Sequence, residues 1–193
     1  MSSLGSCYNG KNNKGVEMTS DEHRAPGWLI YGLLALGIVA RLAPHPPNAT
    51  PLAAIALFSG TYLPKRWSIL LPLAIVILSD VLIGWHNTIP FTWGAFLLTG
   101  LLAWWIRAHP SALRIVGATL AGSVLFFVVT NFGVWVWGEL YPRTAAGLWQ
   151  CYVAAIPFFR NALMGDAAYA TALFGTFAVA AAPRVVRQEA PPR

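Results

Sequence analysis

The sequence predicts an all-α integral membrane protein: six transmembrane helices in one domain, both termini cytoplasmic, and an extra capping helix on the outer side. Three observations predict it. Of 193 residues, 56% are apolar and only 10% are charged, against about 25% charged in ordinary soluble domains. The apolar residues gather into six runs separated by the charges, several of them long enough to cross a bilayer. Lys and Arg fall in alternate connections between those runs. This composition excludes a typical cytosolic globule, a disordered chain and a nucleic-acid-binding module, and the length suits a single domain.

Residues 1–26 are polar, mixed in charge and without a short apolar stretch followed by a cleavage site, so they read as a flexible cytoplasmic tail. The runs then cover 27–43, 51–63, 68–84, 89–106, 113–138 and 162–182, within a transmembrane domain at 27–183. The second is short. Thr50 before Pro51 suits a helix N-cap with proline at the first helical position, directly after the turn APHPPNAT, and Pro64 ends that helix. Pro72 and Pro90 fall in first turns, where a missing N–H costs little, and Gly84, Trp85, His86 and Asn87 form a tight connection. The segment 144–159 is apolar enough to be helical, yet a separate span there would carry the C-terminal arginines outside. It is therefore expected as an outer surface or re-entrant helix that caps the domain. Residues 184–193 form a cytoplasmic tail.

With the N-terminus inside, six crossings place Lys11, Lys14, Arg24, Lys65, Arg66, Arg107, Arg114, Arg184, Arg187 and Arg193 in the cytoplasm and only Arg41, Arg143 and Arg160 outside. That asymmetry is the one cytoplasmic loops carry. Trp28, Trp67, Trp104 and Trp105 fall near the inner face, and Trp85, Trp93, Trp135 and Trp137 near the outer one.

Polar side chains within spans are costly, and here they collect at one side. Arg41, His45, Asn48, Asp80, His86, Asn131, Arg160, Asn161 and Asp166 lie at or below the outer helix ends, with Trp135 on the face of Asn131. Such a set describes a pocket for a small polar or aromatic solute entering from outside. Each residue also has a plainer reading. Asp80 suits a structural bridge to Arg41 or Arg160, and Asn131 an interhelical amide bond beside a belt tryptophan. Arg41 and Arg160 suit either a clamp on a carboxylate or phosphate or an anchor at the headgroups. Asp166 lies about 7 Å inside the last helix if Asn161 caps it, deep enough to need a partner. Arg160 and Asp166 differ by about 600° of helical rotation and so face different ways.

His45, His86, Asp80 and Asp166 lack the HxxxH or Glu-x-x-His spacing of a metal site, and no metal or cofactor is assigned. Cys7 and Cys151 form no paired motif. Neither a Ser/His/Asp grouping nor HExxH, a P-loop or GxGxxG occurs. Gly117 with Ala121, Ala118 with Gly122 and Ala168 with Ala172 permit close helix approach, internally or to a partner subunit.

The stretches RLAPHPPNATPLAAIALFSG (41–60), LLPLAIVILSDVLIG (70–84), NFGVWVWGELYP (131–142) and CYVAAIPFFRNALMGD (151–166) resemble a family of uncharacterised small bacterial membrane proteins. That family is itself similar to the substrate-binding (S) components of energy-coupling-factor vitamin transporters. The resemblance covers roughly 41–175 and implies an S-component-like bundle in the inner membrane, with a loop-capped outer ligand site. It also implies a membrane face for a transmembrane coupling subunit driven by ATPases. The matching polar positions are His45, Asn48, Asp80, Asn131, Arg160, Asn161 and Asp166. The expected function is binding and uptake of a vitamin-like or precursor solute, without catalysis. Two alternatives stand beside it. One is an intramembrane enzyme or redox or haem-binding protein with Asp166 or Asp80 as acid/base and His45 and His86 as ligands; the other is a ligand-free assembly subunit.

Overall fold

The computed structural model describes residues 25–188, with side chains to Ala181. The expected N-terminal tail therefore lies outside the described residues except for Ala25 and Pro26. Six helices follow one another: α1 (Leu29–Leu42), α2 (Leu52–Tyr62), α3 (Trp67–Ile83), α4 (Ile89–Ala108), α5 (Ala112–Trp137) and α6 (Ala145–Gln188), with no strand among the described residues.

Local chemistry sets the boundaries. Asn48 takes a left-handed φ of 65°, which asparagine tolerates better than most residues, and turns the chain into α2. The Thr50 side chain makes no cap bond; Pro51 is the residue before the helix, and its carbonyl accepts the first helical bond from Ile55. Gly84, at φ 115°, ends α3 in a conformation that a Cβ would oppose. Ser111 caps α5 by accepting from the Arg114 amide.

Three helices, α4, α5 and the 145–181 part of α6, are long and apolar enough to cross a membrane; α1, α2 and α3 are shorter. The expectation of six transmembrane helices, the second short, is corrected accordingly: by length and composition three qualify, and α1 and α3 fall short as well. At 1.5 Å per residue, α1, α2 and α3 measure about 21, 16 and 26 Å, short of a 30 Å hydrocarbon core. The apolar runs overstated them because their ends, such as Gly27 and Trp28, form turns.

The shortest helix occupies the centre. Every residue from Leu52 to Thr61 is buried, and α2 touches all five other helices. Leu52, Ile55, Leu57 and Phe58 meet Leu71, Ile75 and Val76 of α3 and Phe96, Ala103 and Ile106 of α4 in one core cluster. Phe58 and Tyr62 stack with Phe174 and Phe177, closing the gap between α2 and α6.

The expected capping helix is not a separate element. Residues 145–188 form one helix, about 66 Å long at 1.5 Å per residue. It runs antiparallel to α5, with Cys151 bonded to the Asn131 carbonyl, Tyr152 to the Val128 carbonyl, Phe159 against Phe127 and Asp166 bonded to Ser123. One continuous helix keeps its C-terminal arginines at the far end without an added crossing, which removes the reason for setting 144–159 aside. Asn161 accordingly lies within the helix and caps nothing. The helix also takes in 184–188, expected in the tail.

The exterior is apolar, unlike that of a soluble bundle, and the core includes several polar side chains. Leu36, Val39, Leu78, Leu98, Leu101, Leu120 and Val124 face outward, whereas Ser59, Ser68, Ser79, Asp80, Thr99, Thr119, Ser123 and Asp166 are buried. The buried hydroxyls are satisfied locally, Ser79 by the Ile75 carbonyl, Thr99 by Ala95 and Thr119 by Ile115. An apolar exterior over an apolar core that also takes in hydroxyls and two carboxyl groups is stable where the surroundings are hydrocarbon.

Charge marks one end of the bundle. Lys65 and Arg66 in the α2–α3 connection lie over Trp104 and Trp67, and Arg114 lies over Trp105. Arg107 donates to the carbonyls of Gly60 and Leu63. Gly60 needs this donor because the residue four positions on is Pro64, which has no N–H.

Candidate functional site

At the end opposite those cations a cavity of about 630 Å³ opens among α1, α4, α5, α6 and the segment entering α2. Its floor is the start of α2, with Thr50 and Ala53. Thr92 and Phe96 of α4, Phe126, Thr130 and Asn131 of α5, and Cys151, Ala155 and Asp166 of α6 form its walls. His45, Asn48, His86 and Tyr141 belong to the connecting segments around it. The Leu52, Ala53 and Ala54 amides begin a buried helix with no side-chain cap and no acidic residue in its first turn. A helix start of this kind carries partial positive charge.

Arg41 Nη2 donates to Asp80 Oδ1 at 2.5 Å, and Trp93 Nε1 donates to Asp80 Oδ2 at 3.0 Å. Asp80, only 1% exposed, is thus neutralised behind the cavity wall, while Arg41 Nε is buried without a partner. Asp166 is 5% exposed, and its Oδ2 accepts from Ser123 Oγ at 2.7 Å. A carboxylate removed from water costs several kcal/mol, and a nearby helix start returns at most about 2 kcal/mol. One hydroxyl and a dipole leave Asp166 short of compensation.

The remaining candidates have local partners. Asn131 Nδ2 donates to the Phe127 carbonyl of its own helix at 2.8 Å, and Trp135 Nε1 to the Pro142 carbonyl at 3.0 Å. His45 Nδ1 lies 2.8 Å from the Pro46 carbonyl and His86 Nδ1 2.9 Å from Thr88 Oγ1.

Of the residues singled out from sequence, Arg41, His45, Asn48, His86, Asn131 and Asp166 line the cavity together. Asp80 sits behind Arg41. Trp135, Arg160 and Asn161 do not line it, and Arg160 is exposed on the outside of α6. Sequence reasoning missed the hydroxyls of Thr50, Thr88, Thr92 and Thr130 and the rings of Phe96, Phe126 and Phe158. The four-residue spacing of Thr88 and Thr92, and of Phe126 and Thr130, puts each pair on one helix face and was the signal available. Among the described residues no three His, Cys, Asp or Glu side chains converge as a metal site.

Fold and cavity define the class: an all-helical bundle with an apolar exterior, membrane-length helices and, opposite a basic end, a cavity lined by polar groups among apolar and aromatic side chains. The chain belongs to DUF6580, a family of unknown function, whose model matches residues 22–189. No curated protein and no solved structure matches it.

Proposed function

We propose that this protein is a membrane-embedded binding component that admits a small solute to the cavity from the outer face of a bacterial inner membrane. The observation that carries the reading is the cavity itself: charged, amide and hydroxyl groups converge on aromatic rings at the end away from the cations. The resemblance of 41–175 to a family of uncharacterised membrane proteins, itself similar to the S components of energy-coupling-factor transporters, suggests the same reading, and with it docking onto a coupling subunit driven by ATPases.

Six crossings with cytoplasmic termini remain our topology despite the short helices. The central α2 is shielded by five neighbours, so its length need not match the bilayer, and irregular backbone at 43–50 is tolerated because it borders a cavity. Local thinning of the bilayer accommodates α1 and α3 at modest cost.

Native mass spectrometry of the gently purified protein should reveal a bound small organic molecule. Repeated recovery from rich medium with nothing bound, together with normal uptake after gene deletion, would sink the proposal. Orientation is tested separately. A cysteine introduced at Lys65 or Arg66 should be shielded from an impermeant thiol reagent in intact cells, whereas one at Asn87 or Arg143 should react; the opposite pattern reverses the topology. Arg160→Ala should leave retention of the copurifying molecule unchanged, because Arg160 faces away from the cavity. Its loss in that variant would mean that the site extends over the outside of α6.

A further inference from the structure

Charge accounting around the cavity narrows what it can hold. Arg41 and Asp166 are the formally charged side chains in its lining, and Arg41 is already matched by Asp80. That leaves Asp166 as an unmatched negative centre. Its carboxylate reaches the cavity from α6 with Ser123 of α5 as its hydrogen-bond donor, and no α2 amide donates to it. An ionised carboxylate has about four acceptor positions, so one hydroxyl leaves most of them open. No other lining group bonds Asp166: His45 and His86 are engaged by the Pro46 carbonyl and Thr88 Oγ1, Gly165 lies against the Ala49 backbone, and the hydroxyls of Thr50, Thr92 and Thr130 are neutral. Phe96 and Phe126, with ring centroids 5.0 Å apart, and Phe158 add aromatic surface, whose negative faces also favour a cation.

Resting on the binding function proposed above, we infer that the cavity selects solutes that carry a positively charged nitrogen on an aromatic or apolar body, the nitrogen docking on Asp166. The unpartnered Arg41 Nε adds one donor for a neutral acceptor elsewhere on the same solute. A free carboxylate or phosphate on the solute is disfavoured, because Arg41 is held by Asp80 and Asp166 would repel the anion.

Cys151 provides the readout, since it is buried and lines the same cavity. In the full-length Cys7→Ser protein, labelling of Cys151 by methyl methanethiosulfonate is followed with three probes of one shape: tryptamine (cation), tryptophol (neutral) and indole-3-propionate (anion). Tryptamine should protect at about five- to tenfold lower concentration than tryptophol, the advantage of a charged over a neutral hydrogen bond, and the anion should protect least. In Asp166→Asn the advantage of tryptamine over tryptophol should vanish while tryptophol protection persists. The ranking in the parent protein decides the matter even if that variant folds poorly. Equal protection by cation and neutral probe, or stronger protection by the anion, overturns the cationic assignment. Protection by none overturns it too, and a molecule found by native mass spectrometry would then preserve the binding function with another solute class.

Discussion

Replacing Asp80 with alanine should destabilise the protein by about 3–5 kcal/mol, the cost of stranding one partner of a buried ion pair. Arg41 would lose its counter-ion and the Trp93 indole its acceptor in one step. The effect should be large because α1 contacts only α2 and α3, so the Arg41–Asp80 pair is the polar fastening of an otherwise lightly held helix. In detergent, the melting temperature should fall sharply and the yield of folded protein with it. Asp80→Asn, which keeps an acceptor for Trp93 but not the charge, should fall in between. The pair Arg41→Met with Asp80→Leu should recover the part of the loss that comes from the stranded charge, since apolar residues of similar volume often replace a buried pair without penalty, while the Trp93 indole still lacks its acceptor. An Asp80→Ala protein melting close to the parent would show that the ion pair does not hold α1 in place.

Much of this architecture was readable because its causes are local. Pro51, Pro64 and Gly84 punctuate the chain through their own stereochemistry, and charge segregation at Lys65, Arg66, Arg107 and Arg114 needs no tertiary information. The turn of Asp166 away from Arg160 was likewise evident, the former being buried and the latter exposed, whereas its expected depth rested on a cap at Asn161 that does not exist. What stayed hidden depends on neighbours. The shortness of 51–63 was plain, but nothing within it says that the helix is sheathed by five others. Pro157, Arg160 and Asn161 look like a break, yet the helix passes through them because α5 supports one side from Ser123 to Asn131. The cavity threonines were overlooked because a hydroxyl satisfied by its own helix carbonyl, as Thr130 is by Phe126, leaves no mark of burial or function.

Gly100→Leu should be as damaging as the loss of Asp80, through packing instead of charge. Pro72 lies inside α3 and not, as the sequence suggested, in its first turn; it has no N–H, so the Ser68 carbonyl four residues earlier loses its helical donor. That oxygen points at Gly100 of α4, where a Cβ would collide with it. The close approach lets a Cα–H of Gly100 stand opposite the freed carbonyl, a weak interaction suited to helices in contact. Across the same junction, a Cβ on Gly60 would meet the Cβ atoms of Ala103 and Ser68, so α2, α3 and α4 converge on two glycines. Trp104 donates to Ser68 Oγ, which donates in turn to the Lys65 carbonyl, fixing the junction at the basic end. Because backbone cannot rotate away as a side chain can, the added leucine must push α3 and α4 apart, at a cost of about 3 kcal/mol or more, the upper range of overpacking. Gly100→Ala already introduces the clash and should show a large part of the loss. Gly94→Ala, where nothing lies within 4 Å of the new Cβ, is the matched control on the same helix and should melt with the parent. Equal melting of the Gly100 and Gly94 variants would mean that the three helices do not meet as closely as this junction requires.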